Sequence, residues 1–413
     1  MRAVHTDFSL LHDYLAKVAH LVELPEELEC LKPESSRFQQ IANQRVNENN
    51  GYLDEVVKIL ESFFELNRYN NNIILATPKG GGRTTLRDIA HWLLAQARNR
   101  EPHEVITQLI AFIKNDSVPM SEILAIWGLN PIKAVDFGDN IQLVSLNSLP
   151  PSIRKDQFTG IQESRLPFSS IFPGPLPRAA LKWDFNFSPI ASGKTESPFL
   201  QSKRERMEQI AKCLCLLNTP ASIVGYWYQC DMNTPVIGGV RSSEEGFAIE
   251  HAFKSRTDET DYDSIEINKI LTQFENLSDK DKRRFEIPLT RLNKALRSFD
   301  NSEKALELGI AVESLIAPTK EEISYQIRLK GAYLLGGSTL EKKYNFELIK
   351  KLYDLRSTIA HGNSLGEKIK FRSENIETGE LLKKMSILCS ELMRAILKRG
   401  KFIDDWDGAL LGW

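Results

Sequence analysis

The chain has 413 residues, 42% of them apolar and 26% charged, with 53 basic and 55 acidic side chains for a net charge of −2. That length predicts two or three domains, and the composition excludes a largely disordered chain, a collagen and a disulfide-stapled miniature protein. No run approaches the ~18 apolar residues of a membrane helix. The opening MRAVHTDFSLLHDYLAK is too polar for a secretory signal. Five scattered cysteines, an odd number, complete the expectation of a cytoplasmic protein with reduced thiols and no membrane partner. Charge is unevenly spread. From Asp281 onward 24 basic face 19 acidic residues, +5, which leaves 29 against 36, −7, for residues 1–280. A polyanion would dock more readily on the C-terminal third.

In chain order, residues 1–130 read as a helical region. SLLHDYLAKVAHLV sets Leu11, Leu15, Val18 and Leu21 at steps of three and four. GYLDEVVKILESFFEL repeats the stripe with Leu53, Val56, Val57, Leu60 and Phe64. TTLRDIAHWLLAQARN follows, with Thr84 or Thr85 as N-cap, and then HEVITQLIAFIKN. Residues 131–275 form a proline-rich, mixed α/β middle region. Short strands are expected in AVDFGDNIQLVSL, LKWDFNF, ASIVGYWYQC and TPVIGGV, with one helix at KRERMEQIAKCLCLLN. Residues 276–413 carry the most regular helical periodicity. SDKDKRRFEIPLTRLNKALRSF leads to a break where Ser302 is the expected cap of EKALELGIAVESLI, whose stripe is Leu308, Ala311, Val312 and Leu315 and whose end is Pro318. EEISYQIRLKGAYLL stops at Gly336 and Gly337. NFELIKKLYDLRSTIAHG buries Leu348, Leu352, Leu355 and Ile359, and ENIETGELLKKMSILCSELMRAILKRG makes a long last helix. Short links between such helices predict an antiparallel bundle. The fold class is therefore α+β, predominantly α.

Three places offer chemistry. NNIILATPKGGGRTTLRDIAHWLL sets a glycine-rich turn between a strand and a helix start, an arrangement whose backbone amides can cradle phosphate. The phosphate-loop pattern fails, however, because Thr77 stands where its first glycine belongs and Arg83 where its lysine belongs. A surface loop at Gly80–Gly82 is the preferred reading. Cys213, Cys215, Cys230 and His251 are the best available zinc set, but Cys213 and Cys215 are two apart in an apolar helix and diverge by roughly 200°. Buried thiols acting as small hydrophobes fit better. The third place is YDLRSTIAHGNS, where Arg356 and His361 close a helix. Read locally, Arg356 is a surface ion pair and His361 sits favourably at a helix C-terminus. Five residues apart on one helix, they are about 140° apart, so they share a site only if the helix ends between them.

The segments RLNKALRSF, EKALELGIAVESLI, ISYQIRLKGAYLLG and IKKLYDLRSTIAHG, in that order, resemble the HEPN superfamily, specifically the HEPN domains of ApeA-like bacterial antiphage proteins. The likeness covers roughly residues 285–400, and its R-x4-H motif is Arg356 to His361. The resemblance implies an endoribonuclease acting in antiphage defence, with Arg356 and His361 catalytic and no metal or cofactor. A ribose 2′-hydroxyl would attack the adjacent phosphate, leaving a 2′,3′-cyclic phosphate and a 5′-hydroxyl. Imidazoles exchange protons near neutral pH, and a guanidinium is a permanently charged fork for phosphate oxygens. The resemblance further implies RNA as partner, with tRNA among the candidates, a homodimer joining two motifs in one site, and a phage-derived trigger sensed by the N-terminal two thirds. Ser357 holds the place where the family carries Asn, Asp or His. Glu313, inside the apolar IAVESLI, either orients Arg356 or is a solvated helix position. Arg328 and Lys330 either line an RNA groove or solvate a helix face. The alternatives are a non-catalytic HEPN module that binds RNA, nucleotide or a partner protein, and a nucleotide-handling enzyme built on the glycine loop.

Overall fold

The computed structural model describes residues 8–18, 21, 50–66, 73–77, 80–98, 100–114, 118–150, 152, 155, 158, 177–187, 198–229, 242–246, 260–316 and 323–412. Within these residues the fold is α+β and mostly helical. Four helices come first: α1 (Ser9–Val18), α2 (Asn50–Glu61), α3 (Leu86–Ala97) and α4 (Pro102–Lys114), with an antiparallel hairpin of β1 (Ile73–Thr77) and β2 (Gly80–Thr84) between α2 and α3. The helices pack their apolar stripes into one core of Leu11, Leu15, Leu53, Val56, Leu60, Ile89, Leu93 and Leu109. Two expected stripe positions fall outside it. Helix α1 stops at Val18 and α2 at Glu61, so Leu21 is 44% and Phe64 82% exposed, and the neighbouring Phe63 is buried instead. The glycines of β2 pair with β1, so the expected loop at Gly80–Gly82 is a strand.

The first 130 residues are not only helical. They supply β3 (Val118–Trp127), an inner strand of a six-stranded antiparallel sheet. With β4 (Val135–Asp136), β5 (Ile141–Ser145), β6 (Ala179–Phe187), β7 (Ser222–Gln229) and β8 (Ser242–Gly246), the sheet order is β4-β5-β6-β3-β7-β8. The expected TPVIGGV strand lies outside the described residues. Alternation along β3 sends Ile123, Ala125 and Trp127 to one face and Leu124 and Ile126 to the other, and both faces are buried. Glu122 is tolerated in this strand, fully buried, because Arg204 of α5 (Pro198–Leu214) lies 2.5 Å away and also donates to the Tyr228 hydroxyl.

The helices that follow are α6 (Ser264–Glu275), α7 (Asp279–Arg297), α8 (Asn301–Ile316), α9 (Ile323–Leu335), α10 (Thr339–Ala360), α11 (Thr378–Arg399) and the short α12 (Trp406–Leu411). Leu308, Ala311, Val312 and Leu315 of α8 are buried as expected, together with Leu348, Leu352 and Leu355 of α10, whereas Ile359 is only partly buried. Three local readings are corrected. Asp300, not Ser302, caps α8, accepting the Glu303 N–H at 2.8 Å. Helix α10 begins six residues before the expected Asn345, because Ser338 and Glu341 form a capping box. Glu374–Glu377, expected at the start of the last helix, is strand β10 and pairs antiparallel with β9 (Lys368–Phe371).

One core runs from the sheet through α5 and α6 into the bundle, taking in Leu124, Leu181, Ile210, Phe274, Leu289, Leu308, Leu352 and Met393. Polar bonds cross the same seam. The Asn293 amide both accepts from Ala221 N–H (3.1 Å) and donates to Ala221 C=O (3.0 Å). Ser390 of α11 donates to Asn218 Oδ1 at 2.8 Å, and Arg394 pairs with Glu266 at 2.6 Å.

Candidate functional site

Arg356 lies in the last turn and a half of α10, on the side that packs against α8. That approach depends on Gly309, since a β-carbon there would stand 2.7–2.8 Å from Arg356 Cβ, Cγ and Cδ. The guanidinium is half-buried. Its Nη2 is 2.8 Å from Glu313 Oε2, one helical turn beyond Gly309 on α8, and its carbon lies 5.8 Å from the Tyr353 ring centre. Of the two readings left open for Glu313, the carboxylate is thus the partner of Arg356. Nε is buried without a hydrogen-bond partner. The guanidinium is held by its stem and by one ion pair, with donors to spare.

His361 is the C-cap of α10, with φ −90° and ψ 11°, and its backbone N–H still donates to Ser357 C=O at 3.1 Å. Gly362 follows with φ +82°, the left-handed turn that ends the helix. The imidazole is exposed and makes no hydrogen bond among the described residues. Because the backbone stays near-helical through His361, the helix does not end between the two residues. Their helical phases differ by about 140°, so within one chain Arg356 turns toward α8 and His361 toward the opposite face. Ser357 is half-buried beside Arg356.

Arg328 and Lys330 are set apart from this end of α10. Arg328 donates to Ser324 C=O at 2.9 Å and stacks on Phe346 at 5.1 Å. Lys330 is neither on a groove nor on a solvated face. It is 3% exposed, with its ammonium 5.5 Å from the Trp406 ring centre. Cys213 and Cys215 are buried in the main core with Cys389, while Cys230 and His251 lie outside the described residues. Among the described residues no cluster of His, Cys, Asp and Glu has metal-binding geometry, and no helix is long and apolar enough to cross a membrane.

The cations that motif reading passed over lie on the outer face of α10. Lys343, Lys350 and Lys351 face Lys370 and Arg372 of the β9–β10 hairpin. Strand β9 alternates exposed and buried, so Ile369 and Phe371 point inward and Lys368 and Lys370 outward. Tyr344 packs edge-on against Phe371 with ring centres 5.9 Å apart, and Arg372 donates to Glu347 at 2.6 Å, which fastens the hairpin to the helix. The available signal was the lysine spacing at i, i+7 and i+8 in EKKYNFELIKK; the hairpin that turns this face into a cleft had no comparable signal. Comparison with protein-family models, with curated proteins and with solved structures found no match for this chain.

Proposed function

We propose that the chain is a metal-independent HEPN-type endoribonuclease that acts in antiphage defence or as a growth-arresting effector. The observation that carries the reading is the seating of Arg356: stem against Gly309, one nitrogen on Glu313, other donors spare, five residues from an exposed imidazole at the helix end. In the reaction the 2′-oxygen forms a bond to phosphorus and the bond to the 5′-oxygen breaks. One proton leaves the 2′-hydroxyl and one reaches the departing oxygen, a task for His361, while the guanidinium meets charge on the phosphoryl oxygens. The phase difference between the two side chains supports a homodimer in which each chain supplies part of a composite site. The N-terminal helices and the sheet then sense a phage-derived trigger or restrain the nuclease, in the cytoplasm.

To test this, RNA is incubated with the full chain in excess EDTA and the ends are analysed. The parent is expected to leave 2′,3′-cyclic phosphates, and His361→Ala and Arg356→Ala each to lose about 10²-fold or more of the rate and to relieve growth arrest on expression. Cleavage abolished by the chelator, or full activity in His361→Ala, overturns the proposal. The same phase difference, with the ion pair that occupies Arg356, favours a second reading: a HEPN module that binds RNA, nucleotide or a partner without cutting. Tight RNA binding with no cleavage and no growth arrest would establish it.

A further inference from the structure

Helix α10 and the β9–β10 hairpin enclose a cleft of about 850 Å³ whose lining carries five cations, Lys343, Lys350, Lys351, Lys370 and Arg372, against two carboxylates. One of those carboxylates, Glu347, is already taken by Arg372. Lys343, Lys350, Lys351 and Lys370 make no ion pair among the described residues, although elsewhere in the bundle Arg284, Arg291 and Arg394 each have a carboxylate partner. Four ammonium groups against the one remaining carboxylate, Asp354, leave an excess of positive charge in one concavity, which focuses a positive field on whatever enters.

The cleft has a direction. Lys343 and His361 are eighteen residues apart, five full turns at about 3.6 residues each, and Lys350 falls within roughly 20° of the same line. The lysine face of α10 therefore points along the helix to the exposed imidazole, roughly 16 Å beyond Lys350. A ligand that fits must carry negative charge at repeated intervals and reach from the cleft to the end of the helix. A phosphodiester backbone does this whatever its base sequence.

Resting on the RNA reading above, we infer that this cleft is the backbone-binding track of the RNA substrate, holding phosphates several nucleotides from the bond presented to His361. An acidic protein segment is the competing occupant. The test uses the full chain carrying His361→Ala and a fluorescein-labelled single-stranded 2′-O-methyl RNA, which offers no 2′-hydroxyl to attack, with anisotropy titrations from 50 to 300 mM KCl. Binding is expected to weaken steeply with salt. In Lys350→Ala/Lys370→Ala the slope of log K against log salt is expected to flatten by about 1.4, about 0.7 for each phosphate no longer neutralised, with far-UV circular dichroism unchanged. Equal affinity and slope in the two proteins, or binding indifferent to salt, overturns the cleft. So does a 2′-O-methyl RNA that fails to bind while an acidic peptide does. Cleavage is scored separately with His361 intact: salt-steep binding without cleavage supports the cleft and removes the nuclease reading, and cleavage with no effect of the lysine pair does the reverse.

Discussion

At Gly309 an added β-carbon would fall 2.7–2.8 Å from three carbons of Arg356, closer than packed carbons approach, so α8 and α10 touch there only because one side chain is missing. Gly309→Ala sets two opposed effects against each other. Alanine improves helix propensity by about 1 kcal/mol, while overpacking costs about 1–3 kcal/mol. The expected outcome is a modest net loss in urea denaturation, up to about 2 kcal/mol, with Arg356 pushed from Glu313 and RNA cleavage falling well beyond what the stability change explains. A variant as stable and as active as the parent would mean that the helices separate freely and that the notch does not position Arg356. At this scale the sequence shows which residues matter only where a motif names them. Arg356 and His361 are singled out by the resemblance of the segments around them, since their spacing alone sets them about 140° apart on one helix. Glu313 as the partner of Arg356 is half-legible, a lone acid in an apolar helix. Gly309 is silent, because a glycine in EKALELGIAVESLI reads as a weak helix residue until the neighbour it admits is known.

At the level of elements, α10 depends on its first turn. Ser338 accepts the Glu341 N–H and Glu341 accepts the Ser338 N–H at 2.7 Å, so two of the helix's open donors are satisfied reciprocally. The Glu341 carboxyl is held below its ordinary value by the Ser338 backbone N–H, the larger cause, and by the Ser338 side chain. A depressed carboxyl stabilises above its unfolded value, and that contribution is lost as the pH falls through the folded one. Ser338→Ala is expected to cost about 1 kcal/mol and to lessen the acid sensitivity of α10, measured as urea midpoints at pH 7 and pH 4; identical midpoints for parent and variant at both would show that the box is idle. The capping box extends α10 past Leu340 and Lys343, and so sets one wall of the cleft. The long helices were legible because their apolar residues recur at three and four over many turns. Strand β3 was not, since MSEILAIW is apolar on both faces and a short two-sided run has no period to read. Hairpin β9–β10 was lost for a related reason: KIKF and ENIE are four residues each, too short for a pattern, and ENIE adjoins a strongly helical segment.

The molecule as a whole has a seam that the chain order conceals. The sheet, α5 and α6 share one core with α7 to α11, and side-chain bonds from Asn293, Ser390 and Arg394 cross it. A core that crosses this seam predicts that sheet and bundle unfold as one cooperative unit. Three thiols report on it. Cys213 and Cys215 lie at the end of α5 and just beyond, and Cys389 lies on α11; all are buried. Burial pushes the Cys213 and Cys389 thiols up to about 12 and Cys215 well above its ordinary value. In Cys30→Ser/Cys230→Ser, pulsed iodoacetamide at pH 8 is expected to leave all three unlabelled in the native protein. With rising urea all three should be labelled together, at the midpoint seen by circular dichroism. The pH dependence has a fixed sign. Unfolded thiols ionise near their ordinary value of about 9 while the folded ones keep their protons, so this stability is fully present below pH 9 and is lost as the pH rises toward about 12. The urea midpoint should therefore fall between pH 9 and pH 11, and Cys389→Ser should reduce that fall. Labelling of Cys389 at a lower urea concentration than Cys213 would show that the bundle opens alone and that the shared core is not one cooperative unit.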